Sequence, residues 1–153
     1  MSSSEIPVDQ NNAVAKLPLL AALVALAGLA DAIFLTIKHY TGGQVPCSII
    51  EGCEQVLTSQ YAEIFGIPLA VFGAIAYFVA FSLALLTAFG NRLTWTLFGI
   101  QVILMAIFTV WLIYLQGFVI EAFCQFCLIS AAVTFTLLII YIVSRFSRHK
   151  ALT

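Results

Sequence analysis

The chain of 153 residues has very little charge: only 8% of it is Asp, Glu, Lys or Arg, whereas about 25% is usual in soluble domains. Apolar residues make up 63%, and the mean hydropathy is +1.11. A soluble fold cannot bury that much apolar surface. The composition therefore excludes a soluble protein and predicts an integral membrane protein, and the length corresponds to one domain.

Two further absences narrow the function. Six Lys and Arg stand against seven Asp and Glu, so the chain has no basic patch of the kind that binds nucleic acid. It also has no glycine-rich phosphate loop, which excludes soluble enzymes of the parallel-sheet kind. The expected partner is the lipid bilayer, and no nucleic acid is expected.

Charged residues divide the sequence into four long apolar segments, and only the first contains a charge, Asp31. Each is long enough for a membrane-spanning helix, which needs about 20 apolar residues. The segments do not alternate between polar and apolar positions, as the strands of a membrane barrel would. The sequence predicts an all-α integral membrane protein, a four-helix bundle forming one domain over 1–153, with spans at about 17–37, 67–89, 94–116 and 123–143.

Ala25-Leu26-Ala27 in the first segment resembles a signal-peptide cleavage site. The residues before it carry no net positive charge, and the apolar run continues well beyond it, so we expect this segment to remain as a span. Five of the six basic residues then fall on one side of the bundle: Lys16, Arg92, Arg145, Arg148 and Lys150. The excess of basic residues predicts a multi-pass protein of the cell (inner) membrane with both termini cytoplasmic, and with loops 38–66 and 117–122 outside.

All four cysteines fall on the predicted outer side, where disulfides form and persist. Cys124 and Cys127 form a C-x-x-C at the start of the last span, so both sulfurs can share one helix face. The start of a helix favours a thiolate. Cys127 lies about 5 Å deeper, where a lipid-soluble electron acceptor would be found.

Cys47 and Cys53 lie in the first outer loop, among residues that favour irregular, mobile backbone: Gly42, Gly43, Pro46 and Gly52. A mobile loop can relay electrons by thiol–disulfide exchange. Two other interpretations of the four cysteines are a zinc site and a pair of structural disulfides. A C-x-x-C bridge on one helix is strained and closes only a short loop, which favours the redox role, and no metal is expected.

The order of these features resembles the vitamin K epoxide reductase family, and in particular its bacterial-type members that oxidise disulfide-forming partners. The resemblance extends from about residue 17 to 143. Besides the two cysteine pairs, it is carried by Gly28-Leu29-Ala30-Asp31, Val56, Ser59, Tyr61 and Phe65-Gly66-Ile67-Pro68.

The resemblance implies a quinone-dependent thiol–disulfide oxidoreductase that supports disulfide bond formation. Cys127 would exchange electrons with a quinone of the ubiquinone, menaquinone or phylloquinone type. Cys124 would exchange with Cys53, and Cys47 would form the mixed disulfide with a thioredoxin-like partner.

The same resemblance implies a quinone pocket. Ser59 and Tyr61 would lie on a short helix in the first outer loop that caps this pocket, with Phe65 nearby. Asp31 is a charge inside a span, which by default suggests function, and it could relay a proton to the quinone. The alternative is that Asp31 is bonded to a neighbouring hydroxyl group or to Lys38.

The sequence departs from some relatives in two places. It ends nine residues after Ser144, so a thioredoxin-like partner is expected to act in trans. Ala131 occupies the position of a tyrosine in vertebrate members, which argues against epoxide reduction.

Three other functions are alternatives to the disulfide-forming oxidoreductase. They are an epoxide or quinone reductase using the same cysteines, a quinone-linked oxidase of the class whose C-x-x-C comes first in the chain, and a non-catalytic membrane scaffold. Trp95 is expected in an aromatic belt at the inner boundary, and His39 at the outer interface.

Overall fold

The computed structural model describes residues 8–153, with side chains for 16–150, 152 and 153. Residues 1–7, which the predicted domain includes, lie outside the described residues. Four long helices form a bundle: α1 (Val8–Thr41), α3 (Leu69–Ala88), α4 (Arg92–Tyr114) and α5 (Gln125–Leu152). Between α1 and α3 lie a short helix, α2 (Cys53–Leu57), and two strands, β1 (Glu63–Ile64) and β2 (Ile67–Pro68). A π-helical turn, Leu115–Val119, extends α4.

The predicted fold class is confirmed, because 4 of the described helices are long and apolar enough to cross a membrane. Large apolar side chains point outward along all four helices. An outward surface of this kind suits lipid rather than water.

The second span begins at Leu69 rather than at residue 67. Ile67 pairs with Ile64 in a small antiparallel hairpin, and Pro68 has the extended φ of −57° and ψ of 138° that precede a helix. The hairpin therefore uses two residues that composition alone assigns to the span.

The bundle is held together mainly by α1 packing against α3. Small residues of α1, among them Ala21, Ala25 and Gly28, let the two backbones approach closely. The ring of Tyr77 lies where a Cβ on Gly28 would be. Replacing this glycine would therefore push α3 away from α1.

The expectation for Trp95 is wrong. Its side chain is 2% exposed and its ring stacks on Phe98, with the centroids 4.8 Å apart. Gly99 leaves room for the ring of Tyr141. The close approach of α4 and α5 at this glycine encloses Trp95 in the core instead of leaving it at the lipid boundary.

The α1–α3 connection (42–68) and the α4–α5 connection (120–124) meet at one end of the bundle, which we call the cysteine end. The backbone N–H of Ile49, in the first connection, donates a hydrogen bond to the Gln125 side chain at the start of α5. Cysteines from both connections share one buried cluster there.

Candidate redox site

The loop pair of cysteines is joined by a disulfide between Cys47 and Cys53, whose Cα atoms are 6.3 Å apart. Cys53 is the first residue of α2 and is 1% exposed, whereas Cys47 is half-buried. The two sulfurs of this pair therefore differ in access. Cys47 is partly accessible at the edge of the buried cluster that encloses Cys53.

Helix α2 is shorter than predicted, and Ser59 and Tyr61 lie beyond it. The hydroxyl of Thr58 donates to the Glu54 carbonyl at 2.6 Å, and the hydroxyl of Ser59 donates to the Val56 carbonyl at 2.7 Å. The Glu54 carbonyl also accepts the Thr58 N–H at 2.9 Å, and the Val56 carbonyl accepts the Ser59 N–H at 3.3 Å, so both are satisfied without a further helical turn. The helix therefore ends at Leu57, and Ser59 and Tyr61 belong to the turn that follows.

The disulfide loop lies directly on the segment that enters α5. A Cβ on Gly52 would be 2.6 Å from the Phe123 carbonyl oxygen and 2.8 Å from the Phe123 nitrogen, so only glycine fits there. The loop is also held by the hydrogen bond from the Ile49 N–H to Gln125 Oε1, at 3.3 Å. Both contacts bring the start of α2 to the C-x-x-C.

Cys53 and Cys124 share one buried apolar cluster, to which Val56 and Ala122 also belong. Cys124 is 0% exposed and is the residue before the first turn of α5. It and Cys127 are free thiols. The arrangement brings one cysteine of each pair into the same buried cluster, as thiol–disulfide exchange between the pairs requires.

The neighbouring Cys127 thiol lowers the pKa of the Cys124 thiol from its ordinary value. The backbone N–H groups of Phe126 and Cys127 act in the same direction, and burial opposes them. Thiolate character at the start of a helix is what the position of the C-x-x-C predicts.

A buried glutamine positions Cys124, and sequence reasoning missed it. Gln116 is 5% exposed, and its Oε1 accepts a hydrogen bond from the Cys124 N–H at 3.1 Å. Its carbonyl accepts another from the Ala122 N–H at 3.0 Å. The π-helical turn around Gln116 and the left-handed backbone of Glu121 (φ 56°) shape this connection. The available signal was an amide side chain within an otherwise apolar span.

A cavity of about 360 Å³ opens between the helices below the cysteine end. Four of the predicted site residues line it: Asp31, Ser59, Tyr61 and Cys127. Cys124 is not among its lining residues. The two cysteines of the C-x-x-C therefore face different surroundings, Cys124 the buried cluster and Cys127 the cavity.

Asp31 lies in the cavity wall with an unsatisfied oxygen. Its Oδ2 is buried and has no hydrogen-bond partner among the described residues. The ammonium group of Lys38, an alternative partner for Asp31, lies over the ring of Phe34, 5.7 Å from its centroid.

The cavity wall also contains a hydroxyl cluster that sequence reasoning missed. The Tyr77 hydroxyl lies 2.7 Å from the Ser130 carbonyl, to which it donates, and 2.9 Å from Thr134 Oγ1. Cys127, Ser130 and Thr134 recur at helical spacing along α5, which is the signal that could have identified this polar face.

Phe65 lies away from the cavity. Its side chain is fully exposed at the tip of the hairpin, and its backbone is left-handed, with a φ of 54°. It is not among the lining residues. The hairpin turn directs this side chain outward, whereas Tyr61, four residues earlier, faces the cavity.

Comparison with known proteins agrees with this geometry. Thiol-disulfide oxidoreductase LTO1 of Arabidopsis thaliana is 33% identical over 116 residues, which are 70% of this chain and 31% of LTO1. The chain thus spans less than a third of that relative. The sequence profile of the vitamin K epoxide reductase family matches residues 19–142. This match covers most of the chain and confirms the resemblance in the sequence: the chain belongs to the vitamin K epoxide reductase family.

Proposed function

We propose that the protein is a quinone-dependent thiol–disulfide oxidoreductase. In this proposal it passes electrons from a soluble thioredoxin-like partner through Cys47/Cys53 and Cys124/Cys127 to a membrane quinone, and so supports disulfide formation. The observation that carries the proposal is the division of the C-x-x-C. Cys124 shares a buried cluster with the loop cysteine Cys53, and Cys127 lies in the cavity wall.

The first exchange takes place at the loop disulfide. A thiolate of the partner attacks the Cys47 sulfur, the Cys47–Cys53 bond breaks, and Cys53 leaves as a thiolate. The second thiol of the partner then closes the partner's own disulfide and leaves Cys47 reduced. The half-buried position of Cys47 and the burial of Cys53 support this order of attack, because exchange needs direct access to the sulfur.

The second exchange moves the electrons inward. The Cys53 thiolate attacks Cys124 in an oxidised Cys124–Cys127 pair and releases Cys127 as a thiolate. Cys47 then attacks Cys53, which restores the loop disulfide and leaves both cysteines of the C-x-x-C reduced.

The cavity suits a quinone. Its volume of about 360 Å³ lies within the range of small-molecule sites, about 300–1,000 Å³. Most of its wall is apolar, and Ser59, Tyr61 and Tyr77 bring hydroxyl groups that can orient ring oxygens. A quinone accepts two electrons and two protons. Asp31, whose Oδ2 has no partner in the described part of the chain, can hold a proton at that oxygen.

We also propose that the cysteine end faces away from the cytoplasm. The basic residues near the other end of the bundle favour that end as the cytoplasmic one. The soluble partner would then meet Cys47 in a compartment where disulfides persist.

The test uses the purified protein in lipid nanodiscs with two electron donors, dithiothreitol and a reduced thioredoxin-like protein. Cys124→Ser or Cys127→Ser should abolish quinone reduction with both donors. Cys47→Ser or Cys53→Ser should abolish it with the protein donor but leave activity with dithiothreitol, which can reduce the inner pair directly. The two donors control for each other in every variant. Equal loss with both donors in all four variants would contradict a relay, and two disulfides that never exchange would indicate a scaffold.

A further inference from the structure

A second cavity, of about 500 Å³, lies at the cysteine end beside the first one. We call it the polar cavity, and the quinone-sized one the membrane cavity. The polar cavity lies between the end of α1, helix α2 and strand β1, and it contains the charged residues Lys38, Glu54 and Glu63. Its charged wall favours water over lipid.

His39 belongs to the walls of both cavities, and among the described residues it is the one titratable side chain that does so. Asp31, Leu35 and His39 follow one another at intervals of four along α1, and all three line the membrane cavity. His39 therefore lies about 12 Å along the helix axis from Asp31. It stands where the membrane cavity meets the polar one.

The imidazole of His39 is held by an acidic side chain. His39 Nε2 lies 3.0 Å from a carboxylate oxygen of Glu63, and the two side chains are 27% and 46% exposed. Glu63 comes from β1, so this contact ties the hairpin to the end of α1. A carboxylate partner fixes the orientation of an imidazole ring.

The chemistry at the membrane cavity requires protons from outside. The exchange steps proposed above release Cys127 and then Cys124 as thiolates, whereas the quinol that forms from a quinone holds two protons. Protons must therefore enter the membrane cavity from water. Most of that cavity's wall is apolar and cannot conduct them.

We propose that His39 is the proton-relay residue between the polar cavity and the membrane cavity, and that Glu63 is a positioning residue that orients its imidazole. This inference rests on the proposed function. An imidazole accepts a proton at one ring nitrogen and releases one from the other, which lets it pass a proton between two compartments.

Other charged or titratable groups surround His39. On the side of the polar cavity they are Lys38 from α1, Glu54 from α2 and Glu63 from β1. On the side of the membrane cavity they are Asp31, Tyr61, Tyr77 and Cys127. The ring of Tyr40 meets that of His39 edge-on, at 5.7 Å. Of these groups, only Glu63 has a polar atom recorded in contact with the imidazole.

The test compares His39→Gln with His149→Gln, which makes the same change at the far end of α5. Both are measured in nanodiscs with dithiothreitol and a short-chain quinone. His39→Gln should lower kcat by about 100-fold, at the lower end of what general acid–base groups contribute, with little change in KM for the quinone. The loss should grow as the pH rises, because fewer protons reach the membrane cavity without the relay. Imidazole added to His39→Ala should restore part of kcat, since the polar cavity has room for it.

Other readouts separate the relay from folding and from the proposed function. Opening of the loop disulfide by the reduced partner, measured without quinone, should be equal in wild type and His39→Gln. If His39→Gln does not fold, Glu63→Gln carries the test, with an expected loss in kcat of about tenfold that Glu63→Asp partly recovers. Wild-type protein that does not reduce quinone would overturn the proposed function and the relay together. If wild type reduces quinone and His39→Gln has the same kcat, or differs from wild type only in KM, the relay is overturned and the proposed function stands.

Discussion

Gly52 offers the sharpest test of the contact between the two cysteine pairs. A Cβ at this position would be 2.6 Å from the Phe123 carbonyl oxygen and 3.2 Å from the Ala122 Cβ. A relaxed carbon–oxygen contact is about 3.3 Å, so in Gly52→Ala the loop must retreat by about 0.7 Å. The obstructing atoms of Phe123 are backbone atoms, and no side-chain rotation can relieve the overlap.

The size of the effect follows from this retreat. Gly52 has a φ of −89° and a ψ of 1°, which alanine adopts without strain, so the substitution acts through the displacement alone. Cys53 is the next residue and must move with the loop. Because a misplacement of about 1 Å can cost about 100-fold in rate, we expect exchange between Cys53 and Cys124 to slow by about 10- to 100-fold.

The assay measures quinol formation with the two donors. With the thioredoxin-like donor, Gly52→Ala should form quinol more slowly than wild type. With dithiothreitol, which bypasses the loop, the two rates should be equal. In a Cys127→Ser background, the Cys53–Cys124 bridge should accumulate, and adding Gly52→Ala should slow its appearance in nonreduced digests read by mass spectrometry. Gly43→Ala is the matched control in the same loop, because its Cβ would meet side-chain atoms and no backbone: Lys38 at 3.3 Å and Thr41 Oγ1 at 3.5 Å. A wild-type rate of bridge formation in Gly52→Ala would refute the reasoning.

Two further predictions concern the membrane cavity and the orientation of the bundle. Ala131 lines the cavity and is 5% exposed, so Ala131→Tyr should fill part of it and raise KM for the quinone by about tenfold or more. Ala132→Tyr, on the exposed side of α5, should leave KM unchanged, and equal KM values in the two variants would place the quinone elsewhere. In intact cells, after reduction, Cys47 should react with a membrane-impermeant thiol reagent, whereas a cysteine introduced by Ser147→Cys should react only after permeabilisation. The reverse pattern would invert the proposed topology.

Much of this architecture could be predicted from the sequence, because the membrane restricts what a chain can do. Long uncharged runs must form helices whose backbone groups bond internally, and apart from Asp31 the charged residues lie near the ends of the spans. The cysteine end followed from the same reasoning, since an even number of spans brings residues 42–68 and 120–124 to one side. Local spacing then placed Cys124 at the start of a helix and Cys127 one turn deeper.

What the sequence could not supply depends on contacts between distant elements. In the sequence, Trp95 looks like a residue of the aromatic belt, because it is a tryptophan near the end of a span. It is buried because α4 and α5 approach each other closely at Gly99. The role of Gln116 depends on a π-helical turn, which has no sequence signature as clear as a helix cap. Phe65 and Tyr61 are both aromatic residues of the same loop, and a left-handed residue in the hairpin turn separates the exposed one from the one that faces the cavity.

The backbone of Cys124 indicates which part of the site must move during exchange. Its N–H donates to Gln116 Oε1 at 3.1 Å, and its carbonyl accepts from the Leu128 N–H at 3.0 Å. Both of its backbone groups are therefore engaged, by the π-helical turn on one side and by α5 on the other.

The disulfide loop is held by one hydrogen bond to Gln125, at 3.3 Å, and by apolar packing around Cys53. Because apolar packing is less directional than hydrogen bonding, the loop can shift while Cys124 stays fixed. In the proposed relay, the motion that admits a partner to Cys47 therefore belongs to the loop, and we expect Cys124 and Cys127 to keep their relation to the membrane cavity through each exchange.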